Sequence, residues 1–193
     1  MITNISRHLR VPFNVTMGIV AVGLTLAACD ALNMKSESAS AGAMPSIDQM
    51  IAMSMQNMKK VMMMPDKDRA QYVMTEQQTA LKHGEQLFGS SRLGTNGFTC
   101  ATCHPGGDTT GGKVPMGDMQ MLIPTLKGAA LTFPKYKVPN DAVITLPEMN
   151  NNCVVMFLKG QPLPLGSKDS RDLAAYVSYL SQGKAYTPGK QSM

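Results

Sequence analysis

Over most of this chain the apolar positions recur with helical spacing. Ile47, Met50, Ile51, Met53, Met58 and Val61 fall on one broad face. Ser46 stands where a helix cap belongs and Pro65 closes the pattern, so a helix is expected from about Ile47 to Met64. A second helical stretch runs from about Asp66 to Phe88 and stops at Gly89. After a Gly- and Pro-rich stretch, from Pro105 to about Pro124, residues 147–159 read as helical again. A last helix begins near Ser167 or Ser170 and ends at Gly183, with Leu173, Tyr176, Val177 and Leu180 on one face. No segment shows convincing strand alternation, and there are no heptads and no internal repeat.

The first 28 residues differ from the rest. They carry Arg7 and Arg10 and no acid, then an apolar run from about Val15 to Ala28 that ends Leu26-Ala27-Ala28-Cys29. A basic start, a short apolar stretch and small residues before a cut describe a secretory signal. The run is too short for a comfortable membrane span of about 20 residues. Leu-Ala-Ala-Cys also resembles the bacterial lipobox, which implies lipidation at Cys29; the plainer reading is a cleaved signal beside an incidental cysteine. Asp30 resembles an inner-membrane retention signal. Residues 1–28 are therefore expected to be a lipoprotein signal peptide. Residues 29–45, rich in Ser, Ala and Gly, read as a flexible linker. The expected location is the periplasmic side of a bacterial membrane, lipid-anchored, with the inner membrane as one option.

Without the leader 165 of the 193 residues remain, and the formal charge falls from +5 to +3 with Arg7 and Arg10. That length fits one domain. The basic residues are scattered, which argues against nucleic acid as a partner. The Gly-rich run from Pro105 to Gly112 follows no strand and lacks a Lys-Ser/Thr ending, so it is not a phosphate loop.

Cys100-Ala101-Thr102-Cys103-His104 carries the chemistry. C-x-x-C-H is the attachment signature of a c-type haem. Two thiols three positions apart each form a thioether with a haem vinyl group, and His104 supplies the proximal nitrogen to the iron. A redox dithiol would want a thioredoxin-like context and a zinc site a second ligand pair. Neither is evident: the other cysteines are Cys29 and Cys153, and the other histidines His8 and His83. Covalent haem is attached outside the cytoplasm, in keeping with the leader.

The run Leu93 to Thr99 into Cys100–His104, then Phe133-Pro134-Lys135-Tyr136, then Cys153, Gly160, Leu163-Pro164, Ser167 and the helix Leu173–Leu180 together resemble one group of cytochromes. They are similar to the haem domains of thiosulfate dehydrogenase and of the A subunit of the Sox thiosulfate-oxidising complex, over about residues 80–183. The resemblance implies an all-α, cytochrome c-like haem domain (79–185) with an extra N-terminal Met-rich helical segment (46–78) and a tail (186–193). Those enzymes usually work with two or more haems, and this chain has one C-x-x-C-H.

The distal iron ligand stays open among thioether, thiolate and imidazole. His8 leaves with the signal, and His83 reads as a surface residue. Met116, Met119 and Met121 follow the haem motif, and Met156 lies three residues past Cys153. Cys153 is a leftover thiol, to be flagged in an oxidising compartment. The resemblance implies that it is the axial cysteine; otherwise it is a small buried hydrophobe. The methionine cluster from Met44 to Met74 offers thioethers for Cu(I), but reads better as gap filling on a face that packs against haem or a partner.

Two functions follow. One is a membrane-tethered periplasmic cytochrome that carries single electrons through one covalent haem c to redox partner proteins, other cytochromes or a membrane oxidoreductase. The other is the haem subunit of a thiosulfate- or sulfur-compound-oxidising enzyme, with Cys153 as axial ligand and reactive sulfur.

Overall fold

The structure is a computed structural model that describes residues 45–190. The expected leader, the Cys29 anchor and nearly all of the linker lie outside the described residues, as do residues 191–193. Five helices carry the chain: α1 (Ile47–Met62), α2 (Asp66–Phe88), α3 (Cys100–Cys103), α4 (Leu146–Met156) and α5 (Lys168–Tyr179). Four short strands join them: β1 (Lys113–Met116), β2 (Met119–Leu122), β3 (Lys135–Lys137) and β4 (Ala142–Ile144).

Pro65 lacks an N–H and cannot continue a helix. It stands at the boundary between α1 and α2. Arg69 reaches back from α2 and donates to the carbonyls of Val61 (3.2 Å), Met62 (3.3 Å) and Met64 (3.0 Å), the acceptors a helix end leaves orphaned. No residue of α1 is buried. Among the described residues nothing covers its methionines: Met53, Met55, Met58 and Met62 are all more than half exposed.

The core is built by α2 and α5. Leu87 and Phe88 of α2 meet Leu173 and Val177 of α5, with Leu93, Val154 and Leu158 completing the cluster. Phe88 and Tyr176 tilt against each other at 5.3 Å. Gly84 makes the close crossing possible, since a Cβ there would lie 2.0 Å from the Asp172 carbonyl oxygen. Ser167 caps α5 by accepting from the Ser170 N–H at 3.2 Å. The charged rim of the same contact is His83, which is part-buried rather than a free surface residue. Its Nδ1 lies 2.7 Å from Asp172 and its Nε2 3.5 Å from Asp169, while Lys168 also bonds Asp172 and Arg92 bonds Asp169.

Two short hairpins stand in the middle of the chain, where the sequence shows no convincing strand alternation. β1 and β2 form an antiparallel hairpin with Val114 opposite Met121. Its two-residue loop opens with Gly117 at φ 63°, the positive φ that favours glycine there. β3 and β4 pair with Lys135 opposite Ile144 and Lys137 opposite Ala142. Strands of three or four residues rich in Lys, Met and Pro give almost no alternation to read. The architecture remains the all-α cytochrome c type, with two small hairpins added. Among the described residues no helix is long and apolar enough to cross a membrane.

Candidate functional site

α3 is a single turn, and Thr99 starts it. Its hydroxyl accepts from the Thr102 N–H (3.1 Å), and the Thr102 hydroxyl accepts from the Thr99 N–H (3.0 Å), a reciprocal cap. Residues three apart on a helix share a side, so the turn brings Cys100 and Cys103 together. The His104 N–H closes the turn on the Cys100 carbonyl at 2.9 Å, and the chain then leaves the helix with His104 at φ −127°, ψ 65°. Pro105–Gly107, at the head of the Gly-rich run, form a 3-10 turn. Gly107 is buried against Leu180, and its N–H bonds the His104 carbonyl.

Two loops hold this turn in place. Thr95 N–H donates to the Leu158 carbonyl (2.9 Å), Thr95 Oγ1 to the Lys159 carbonyl (2.9 Å) and Asn96 Nδ2 to the Phe157 carbonyl (2.8 Å). A Cβ on Gly160 would lie 1.8 Å from the Leu93 oxygen, and one on Gly94 2.2 Å from the Leu158 oxygen. Both glycines are there because the two backbones touch.

Cys100, Cys103 and His104 open onto a largely apolar cavity of about 1120 Å³, mouth included. Phe88, Leu126, Phe133 and Val177 supply part of its lining. One stripe of α4 (Leu146, Met149, Asn150, Cys153) lines it too, at spacings of three and four. So do Lys135 and Lys137 of β3.

The electrostatics favour the neutral forms of His104, Cys100 and Cys153. Burial lowers the pKa of His104; the nearby backbone of Pro124 and Asp108 opposes this without closing a hydrogen bond to Nδ1, which is buried and without a partner. An unprotonated imidazole is the form that binds metal. Burial pushes the Cys100 thiol up to about 11. Cys153 is pushed up to about 12, by burial first and by Cys100 and Cys103 in addition, with the Lys137 charge opposing. Thiols so raised stay protonated near neutral pH and make poor redox nucleophiles, which argues against a dithiol oxidoreductase. None of Cys100, Cys103 and Cys153 is in a disulfide. An apolar cavity with two thiols and an imidazole at its wall fits covalent haem, which these three residues would hold.

Cys153 is thus brought to the same cavity as Cys100–His104. Met156 is half-buried on the last turn of α4 but is not part of the cavity lining. Met121 lines the cavity, whereas Met119 is exposed and Met116 lies outside. His83 is on the far charged rim with Asp169 and Asp172. Sequence reasoning missed Met149, Asn150 and the two lysines. The i, i+3, i+4, i+7 stripe through Leu146, Met149, Asn150 and Cys153 would have found the first two.

This turn, cavity and helical scaffold are those of a c-type cytochrome domain, which binds haem covalently. The chain belongs to the SoxA/TsdA cytochrome c domain family, whose profile matches residues 83–186. Over 88 residues it is 36% identical to the thiosulfate dehydrogenase of Allochromatium vinosum. That match covers 46% of this chain and 30% of the enzyme, so the chain corresponds to less than a third of that relative's length.

Proposed function

We propose that the protein is a single-haem electron carrier, tethered by lipid at Cys29 to the periplasmic side of a bacterial membrane. The observation that carries this reading is one C-x-x-C-H turn opening onto one apolar cavity. The bound haem supplies a one-electron couple between ferric and ferrous iron. Cys100 and Cys103 hold it covalently, and His104 binds the iron with a ring that burial keeps neutral. The apolar lining excludes water, which strengthens every electrostatic contact inside. A membrane anchor with two acyl chains is enough for stable attachment.

A second reading is a haem subunit of a thiosulfate-oxidising enzyme. It is favoured by the place of Cys153 on the cavity wall, where its sulfur is available as distal ligand or as reactive group. A thiolate ligand pushes electron density onto iron. In this reading a partner cytochrome takes the electrons away.

Low-temperature EPR and near-infrared spectra of the ferric protein separate the two. A low-spin thiolate signature that disappears in Cys153→Met, together with thiosulfate-dependent ferricyanide reduction lost in Cys153→Ala, supports the enzyme. A thioether-to-iron charge-transfer band that survives Cys153→Met, with no turnover of thiosulfate, supports the carrier. The methionines that line the cavity, Met121 and Met149, are then the ligands to replace.

A further inference from the structure

Three consecutive asparagines on α4 are treated differently by the fold. Asn151 is fully engaged: its Nδ2 donates to the Leu163 carbonyl and its Oδ1 accepts from the Leu163 N–H, both at 2.8 Å. Asn152 exchanges two hydrogen bonds with Asn140, at 2.6 and 3.3 Å, which pins the β3–β4 hairpin to α4. Asn150 is the one that lines the cavity, and its Nδ2 is buried without a partner. A buried amide donor left open marks a place where an acceptor binds.

The hairpin pinned to α4 brings two more donors to the cavity. Lys135 and Lys137 alternate along β3, so they share the face that lines it. Tyr136 between them is exposed and bonds Asp141 at 2.6 Å. Lys135 is only 3% exposed, with its ammonium 4.8 Å from the Phe133 ring centre. The described residues that line the cavity include no Asp and no Glu. Two ammonium groups and an amide N–H, with no acidic side chain in the lining, suit a negatively charged ligand.

We propose that Lys135, Lys137 and Asn150 form an anion site on the cavity wall that also carries Cys153, and that its ligand is a carboxylate of the haem. The assignment rests on haem occupying this cavity. A haem carries two carboxylates, and thioether bonds at Cys100 and Cys103 keep them in the cavity at high effective concentration. A free anion would have to reach Lys135 from solvent, from which that residue is nearly sealed.

The test uses the haem-loaded full chain. Haem that stays on the protein through acid–acetone extraction establishes occupancy separately, and its loss in the wild type would sink the haem reading itself. With haem retained, Lys135→Met and Lys137→Met are expected to lower the midpoint potential, because a nearby cation favours the ferrous form. They should also shift the carboxylate bending band in resonance Raman spectra. Asn150→Leu should move the same band, and Lys135→Arg and Lys137→Arg should keep the potential near the wild-type value. Unchanged potential and band in both Met variants and in Asn150→Leu would overturn the assignment. So would a wild-type Soret shift on adding sulfate or sulfite that is lost in the Met variants while the carboxylate band stays fixed. In that case the site would serve a diffusible anion.

Discussion

Replacing Gly84 by alanine sets two physical effects against each other. In the interior of α2, alanine is favoured over glycine by roughly 0.5–1 kcal/mol on backbone entropy. A helix-propensity argument therefore predicts a more stable protein. The structure predicts the reverse. The new Cβ would sit 2.0 Å from the Asp172 carbonyl oxygen and 2.8 Å from the Tyr176 Cβ, and the first of these is backbone that cannot rotate away. The two core helices must separate, and overpacking of this kind costs about 1–3 kcal/mol, occasionally more. The upper end applies, so a net loss of about 2 kcal/mol is expected. For a chain of this size each kcal/mol lowers Tm by about 2–4 °C, which gives a drop of about 4–8 °C. The assay is thermal unfolding of the haem-loaded protein by circular dichroism, with Gly89→Ala as control. Gly89 has φ −88°, and a Cβ there would come no closer than 3.8 Å to its nearest neighbour, so that variant should be unchanged or slightly more stable. A Gly84→Ala protein as stable as wild type would refute the account of the α2–α5 crossing.

Cys100→Ala combined with Cys103→Ala should leave no haem that survives acid–acetone extraction, read on a haem-stained gel. Burial works to raise the Asp172 carboxyl, but hydrogen bonds from Lys168 and His83 outweigh it and hold its pKa below the ordinary 3.8. Its contribution is therefore present above that value and lost as pH falls through the lower native one. Asp172→Asn should cost about 1–3 kcal/mol near neutral pH, and in urea titrations the gap to wild type should close on acidification below pH 3.8. Deleting residues 47–64 should leave the Tm of the haem domain almost unchanged, since no residue of α1 is buried.

Much of the scaffold was legible because it is built from punctuated helices. Pro65, Gly89 and Ser167 mark boundaries that the structure places within a residue or two. The face through Leu173, Tyr176, Val177 and Leu180 became the inner side of α5. The haem turn was legible because covalent attachment fixes the identity and spacing of three residues. What stayed hidden depends on contacts between distant segments. The hairpins are too short to show a period, and their register depends on turns and on the Asn140–Asn152 bonds. Lys135 reads as an exposed charge from sequence, yet tertiary packing leaves it almost fully buried. The α1 methionines show the converse, an apolar face that the described chain leaves exposed. An amphipathic pattern shows that a helix has an apolar face, not that this chain covers it.

The ties between Thr95, Asn96 and residues 157–159 have a consequence for electron transfer. They join the segment that leads into the attachment turn to the end of α4, the helix that carries Cys153 on the cavity wall. The attachment turn and α4 are thereby parts of one framework, with Gly94 and Gly160 allowing backbone-to-backbone contact at its seam. Polar groups preset in a dry site need little rearrangement when charge changes. A haem held by Cys100, Cys103 and His104 would change charge there with little movement of its surroundings. The seam between two loops, remote in sequence from each other, would thus favour a small reorganisation energy.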